Sequence, residues 1–308
     1  MKNNKPKQNS PLAATKPFAA LAEELGAAYE AASLGAALPI AVDPSSPDSL
    51  LRALHHILMT PRPDWGLKTL ARTGALAAVL PECQAMVGFG EGIRHKDVWA
   101  HTCQVVRQTP PRLIVRWAGL LHDIGKVPTR RFAPSGEVTF IGHPEVGAKM
   151  FGRIARRLPF SASMAAQLRF LIAAHLRAAA YDTSWTDSAV RRFARDAGES
   201  LDDLLDLSRA DITSKYAEKV RRGLALINAL AERIDRVTQQ DRQPPALPAG
   251  LGHAIMQRFQ LSPGPALGRV MHTLKERVDG GELPVGADFS VYLAFIEAQQ
   301  LLPQPQQR

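Results

Sequence analysis

The sequence predicts an all-α protein. Apolar residues recur at helical spacing along most of the chain, prolines and glycines divide it into segments of helical length, and strand signals are scarce. Residues 1–45, which contain many Ala, Pro and Lys, are expected to form a poorly ordered N-terminal segment. Within it, the mildly amphipathic stretch from Phe18 to Leu38 reads as a short packed or loosely ordered helix. Ser46-Pro47-Asp48 opens the first well-signalled helix, with proline in the first turn. Leu50, Leu51, Leu54, Ile57 and Leu58 form its apolar face, and Pro61-Arg62-Pro63 ends it. A second helix is expected from Trp65 to Leu80, stopped by Pro81. Further helical patterns cover 97–109, 112–124, 144–157, 162–177, 187–197, 201–214 and 216–237. Val138 to Ile141 follows the turn-like Pro134-Ser135-Gly136 and could pair with Arg131-Phe132 in one small hairpin. Pro244, Pro245, Pro248 and Gly250 mark a linker or turn. The expected organisation is a main helical domain over 46–240 and a smaller helical unit over 241–302.

The 308 residues can bury a sizeable core, and 45% are hydrophobic, ordinary for a globular protein. No apolar run approaches the ~20 residues that span a bilayer, and no apolar stretch follows the Lys-containing start as in a secretory signal. Cys83 and Cys103 are too few for a disulfide framework and lack metal-ligand spacing, so both are expected reduced, in a cytoplasmic protein. The formal charge is +9, unevenly spread: residues 94–157 hold twelve Lys/Arg against four acids. A field of that sign favours phosphate-bearing ligands; a solvated basic surface would look the same in sequence.

The strongest chemical signal is Leu120-Leu121-His122-Asp123-Ile124-Gly125-Lys126. An apolar helix ends in two good metal donors, with Gly125 as its natural stop. Burying His-Asp there is unfavourable unless both are satisfied, and a metal ion satisfies imidazole and carboxylate together. A third donor, His101, lies one helix upstream, and a fourth, Asp211, far along the chain in Ser208-Arg209-Ala210-Asp211.

This order, first His, then His-Asp about twenty residues on, then a distant Asp, resembles the HD superfamily of metal-dependent phosphohydrolases. The resemblance implies a helical bundle in which His101, His122, Asp123 and Asp211 hold a divalent metal ion that activates water against a phosphate ester. Mg, Mn, Ni, Co, Fe and Zn all suit two His and two Asp to differing degrees. It further implies that His143 and His175 line the phosphate pocket or bind a second metal; read alone, His143 could simply open a helix at Pro144. Asp123 would also orient the water. Lys126 and Arg130, next to the metal pair, would stabilise charge on a bound phosphate. His95 would bind phosphate or merely pack.

A closer resemblance is carried by Arg94-His95-Lys96-Asp97-Val98-Trp99-Ala100-His101-Thr102 and by Arg116-Trp117-Ala118-Gly119 leading into the His-Asp heptad. Leu261-Ser262-Pro263-Gly264-Pro265-Ala266-Leu267-Gly268 extends it downstream. Together these look like the HD and C-terminal region of bacterial tRNA nucleotidyltransferases, the CCA-adding and poly(A) polymerase family, over about residues 47–297. That family's catalytic head needs a paired Asp-x-Asp, and none occurs in the sequence; nucleotide addition is therefore not expected. The expected activity is hydrolysis of nucleotide or RNA terminal and cyclic phosphates. The alternative is a non-catalytic RNA- or tRNA-binding module that partners a separate nucleotidyltransferase. The sequence sets no oligomeric state.

Overall fold

The computed structural model describes residues 18–90, 97–132, 138–242 and 245–302. The chain divides into two compact units, one up to Ile234 and one from Asp235. The first opens with α1 (Phe18–Ser33), α2 (Pro47–Leu58), α3 (Pro63–Thr73), α4 (Ala75–Val79) and α5 (Pro81–Gln84). It continues with α6 (Val98–Gln108), α7 (Leu113–Leu121) and the single turn α8 (Lys126–Thr129). Then follow α9 (His143–Arg157), α10 (Ala162–Ala174), α11 (Asp187–Ala197), α12 (Leu201–Asp211) and α13 (Ala217–Arg242), the last running past the division. Among the described residues the one sheet is the expected hairpin, β1 (Arg131–Phe132) against β2 (Val138–Thr139), with Phe132 opposite Val138. The Pro134-Ser135-Gly136 turn itself lies outside the described residues. The fold is all-α with this one small hairpin.

Helix α7 is the centre of the first unit. Val115 through Leu121 are all buried, so it has no solvent face, and α2, α6, α10 and α12 pack around it. One buried position is charged. Arg116 donates from Nη1 to the carbonyls of Leu58 and of Thr60, the latter at 2.8 Å. It thus satisfies acceptors freed at the carboxyl end of α2 and ties the leading helices to the core. Burial lowers its pKa from the usual guanidinium value.

The stretch read as a short packed or loosely ordered helix is the packed one: residues 18–33 form α1, which buries Leu21, Leu25, Ala28 and Ala32 and packs on α3. Gly66 permits this contact, since a Cβ there would lie 2.9 Å from the Ala28 carbonyl oxygen. The helix expected from Trp65 to Leu80 breaks at Gly74, which takes the left-handed conformation (φ 83°) and separates α3 from α4. Gly125 is not a left-handed stop: its φ is −72°.

The second unit comprises α14 (Leu251–Phe259), α15 (Pro265–Asp279) and α16 (Phe289–Ala298). Its own core gathers Leu251, Ile255, Val270, Leu274, Tyr292 and Ile296. The Tyr292 hydroxyl donates to the Pro284 carbonyl at 2.6 Å and accepts from the Ala287 amide, so its burial leaves no polar group unmatched. No helix among the described residues is long and apolar enough to cross a membrane.

Candidate metal centre

Five helices bring four His and two Asp side chains to one place. His101 stands on the first turn of α6, which starts at Asp97, whose carboxylate caps the Ala100 amide at 2.8 Å. His122 and Asp123 follow α7 directly, His175 follows α10, and Asp211 is the last residue of α12. His143 opens α9, after Gly142 in the left-handed conformation (φ 77°). Three of these helices therefore present ligands at their carboxyl ends, where the unpaired carbonyls favour a cation.

The donor atoms form two groups. In the first, His101 Nε2 lies 3.0 Å from Asp211 Oδ1 and 3.3 Å from His122 Nε2, while His122 Nε2 lies 3.5 Å from Asp211 Oδ1. In the second, His143 Nε2 lies 3.1 Å from His175 Nε2 and 3.4 Å from Asp123 Oδ1, and His175 Nε2 lies 3.9 Å from that oxygen. Both could hold a metal ion. Asp123 joins them. Its other oxygen, Oδ2, stands 3.1 Å from His122 Nε2 and 3.5 Å from His101 Nε2. Donors bound at ~2.1 Å stand about 3.0 Å apart at right angles and about 3.4 Å apart at tetrahedral angles. The spacings match what an ion would require, except the longer His175 edge.

The far side of each imidazole is fixed. Nδ1 of His122, His143 and His175 faces the carbonyls of Gly119, Phe140 and Ile172 at 2.9, 2.9 and 2.8 Å. A carbonyl can only accept, so these nitrogens carry the proton and the Nε2 lone pairs are left to point inward. His101 Nδ1 meets the Thr213 hydroxyl at 2.8 Å. The donor set, its convergence and these outer contacts fit a divalent metal.

Electrostatics agree. Burial disfavours a charged His122, but the Asp123 and Asp211 carboxylates outweigh it and raise that imidazole to about 10. Burial, aided by the charge on His122, lowers His175 to about 4, so it is neutral at pH 7. Burial opposes ionisation of Asp123 and Asp211 too, yet their histidine partners hold both below the usual carboxylate range, with Lys126 adding to the effect at Asp123. The Lys126 ammonium stands 2.9 Å from Asp123 Oδ2, as an ion pair that lacks hydrogen-bond geometry.

Residues 93–216 match the family model for the HD domain. The chain carries an HD domain. HD domains bind divalent metals, and the two clusters lie within the matched residues, joined by Asp123. Over 239 residues, 75% of the chain, it is 33% identical to an A-adding tRNA nucleotidyltransferase of Deinococcus radiodurans, of which it covers 54%. It is 30% identical over 253 residues, 79% of the chain, to a CC-adding tRNA nucleotidyltransferase of Thermus thermophilus, covering 55% of that protein. A multifunctional CCA protein of Ectopseudomonas mendocina is 36% identical over 113 residues, 34% of the chain and 27% of the relative. The chain thus spans about half the length of the first two relatives. It is homologous to these nucleotidyltransferases across the HD region.

The structure brings His101, His122, Asp123 and Asp211 together, and it also brings His143 and His175 to the second oxygen of Asp123. Lys126 is at the site. Arg130 is engaged to one side: its guanidinium lies 4.2 Å from the Phe89 ring centre and donates to the Gly90 carbonyl. His95 falls outside the described residues. Two supporting residues escaped the sequence reading. Thr213, two positions after Asp211, carries no motif signal. Gly125 serves the approach of two backbones, since a Cβ on it would lie 2.0 Å from the His143 carbonyl oxygen and 2.7 Å from the Gly147 nitrogen.

Proposed function

We propose that the chain is a metal-dependent phosphohydrolase acting on nucleotides or on terminal or cyclic phosphates of RNA. The observation that carries this reading is the pair of ligand clusters joined by Asp123, with three Nε2 lone pairs aimed inward by backbone carbonyls. His101, His122, Asp123 and Asp211 would hold one divalent ion, and Asp123, His143 and His175 a second. When bound, such ions supply Lewis acidity toward a phosphoryl oxygen and make water acidic enough to lose a proton near pH 7. The chain's own groups do the rest. Asp123, reaching both clusters, orients the attacking water. His143 and His175 would take one of two roles: ligands of that second ion through Nε2, or lining of the phosphate pocket. Lys126 offsets the charge that builds on the non-bridging oxygens, and Arg130 and His95 would also bind phosphate. Reduced, buried Cys83 and Cys103 accord with a cytoplasmic location.

The similarity to tRNA nucleotidyltransferases over 75% of the chain favours a second reading, an RNA- or tRNA-binding module that partners a separate nucleotidyltransferase. One experiment separates the two: metal analysis of the purified protein, with turnover of 2′,3′-cyclic AMP and p-nitrophenyl phosphate across added metals. Metal-dependent hydrolysis that disappears in Asp123→Ala supports the enzyme. Metal-loaded protein that hydrolyses no ester, or an unimpaired Asp123→Ala, refutes it.

A further inference from the structure

From Asp123 outward, cations and aromatic rings form a continuous row in the order Lys126, Phe140, Phe89, Arg130, Phe132. Lys126, paired with Asp123, places Nζ 5.6 Å from the Phe140 ring centre. Phe140 lies 6.4 Å from Phe89, centre to centre, with the rings tilted by 58°. The Arg130 guanidinium sits 4.2 Å from Phe89 and 5.4 Å from Phe132. Phe132 is 65% exposed, and Ile141, beside Phe140, is 86% exposed. Two large apolar side chains thus face solvent next to these cations. Among the described residues no carboxylate pairs with Arg130 or with its neighbour Arg131. The surrounding sequence from 94 to 157 is strongly basic.

Cations that follow a phosphate backbone, interleaved with rings on which bases stack, are the elements of a single-stranded nucleic-acid site. A duplex would conceal its base faces and use the cations alone. We propose that this row is the binding track for a single-stranded nucleic-acid end whose phosphate ester is presented at the metal centre. The inference rests on the phosphohydrolase reading for what happens at the inner end, and on the row itself for what binds along it. It names a substrate class: a free nucleotide can occupy only the part beside Lys126 and Phe140, whereas an oligonucleotide also reaches Arg130 and Phe132.

The test uses the full chain, a fluorescein-labelled tetra-adenylate RNA with a 3′-phosphate, and a blunt hairpin of the same composition class, with binding read by fluorescence anisotropy. Phe132→Ala, at an exposed position, should weaken tetranucleotide binding about 5- to 150-fold, the range for losing one stacked base. Arg130→Gln should lower the slope of log affinity against log salt by about 0.7, one phosphate contact on a single strand. The ratio of kcat/KM for the tetranucleotide phosphate to that for p-nitrophenyl phosphate should fall with Phe132→Ala. Equal affinity of Phe132→Ala and wild type overturns the track, as does hairpin binding as tight as the single strand. The two readings fail separately. A protein that hydrolyses nothing but loses single-strand affinity in Phe132→Ala keeps the track and loses the enzyme. One that turns over esters with an unchanged ratio in that variant does the reverse.

Discussion

Gly125→Ala tests how the His-Asp turn is held against α9. The added Cβ would lie 2.0 Å from the His143 carbonyl oxygen and 2.7 Å from the Gly147 nitrogen, both backbone atoms with no rotamer to yield. Real Cβ atoms do not approach within 3.0 Å, so the turn and α9 must separate by about 1 Å. The φ of −72° suits alanine, so the whole penalty is steric. Overpacking of this kind costs about 1–3 kcal/mol. The displacement falls on the two segments that carry Asp123 and His143, whose donor atoms are 3.4 Å apart. A 1 Å misplacement of reacting groups costs on the order of 100-fold in rate. Urea unfolding measures the first effect; metal titration by calorimetry and ester turnover measure the second. Gly147→Ala is the internal comparison, since its nearest contact is a side-chain methyl, Ile172 Cγ2 at 3.2 Å, and it should be milder. Wild-type stability and metal affinity in Gly125→Ala would refute the close-approach argument.

Other perturbations follow from the same geometry. Asp123→Asn keeps the shape but leaves the first cluster with the Asp211 carboxylate alone and the second with none; bound metal by elemental analysis should drop sharply and turnover by about a thousand-fold or more. Thr213→Val removes the hydroxyl at His101 Nδ1 and should weaken metal binding about 10- to 100-fold, measured by calorimetry, with the helical circular dichroism unchanged. Without metal, His122 is raised from 6.5 to about 10, so binding at pH 7 must expel its proton: affinity should rise with pH from 6.5 towards 10, and calorimetry in buffers of different ionisation enthalpy should count close to one proton released. By the same linkage, the stability that the His122 charge gives the metal-free protein is complete below pH 6.5 and is lost towards pH 10. Lowered Asp123 and Asp211 contribute stability above about pH 3.8 that is lost on further acidification, so urea midpoints of the metal-free protein should peak between about pH 4 and 6.5. Burial pushes the Cys103 thiol up to about 12 and Cys83 well above its usual value; a disulfide thiol reagent should label neither in the native protein and both in urea.

The helical class and most helix spans were legible in sequence through apolar periodicity and proline and glycine punctuation; His122 and Asp123 stood out as two donors side by side at the end of an apolar helix, whereas the choice of His101 and Asp211 leaned on the resemblance to the HD pattern. The break at Gly74 was not legible, because a glycine inside a helical pattern looks the same whether it continues the helix or turns left-handed. The helix within Phe18–Leu38 was legible, but whether it packs or stays loose was not, because that depends on a partner face on α3. What tertiary structure alone decided is the second oxygen of Asp123. Residues 123, 143 and 175 are distant in sequence, and only the packing of α10 against α7 and of α9 against α10 and α8 sets His143 and His175 around it. Helical periodicity fixes which way a side chain faces; which other faces it meets depends on contacts between helices far apart in the chain.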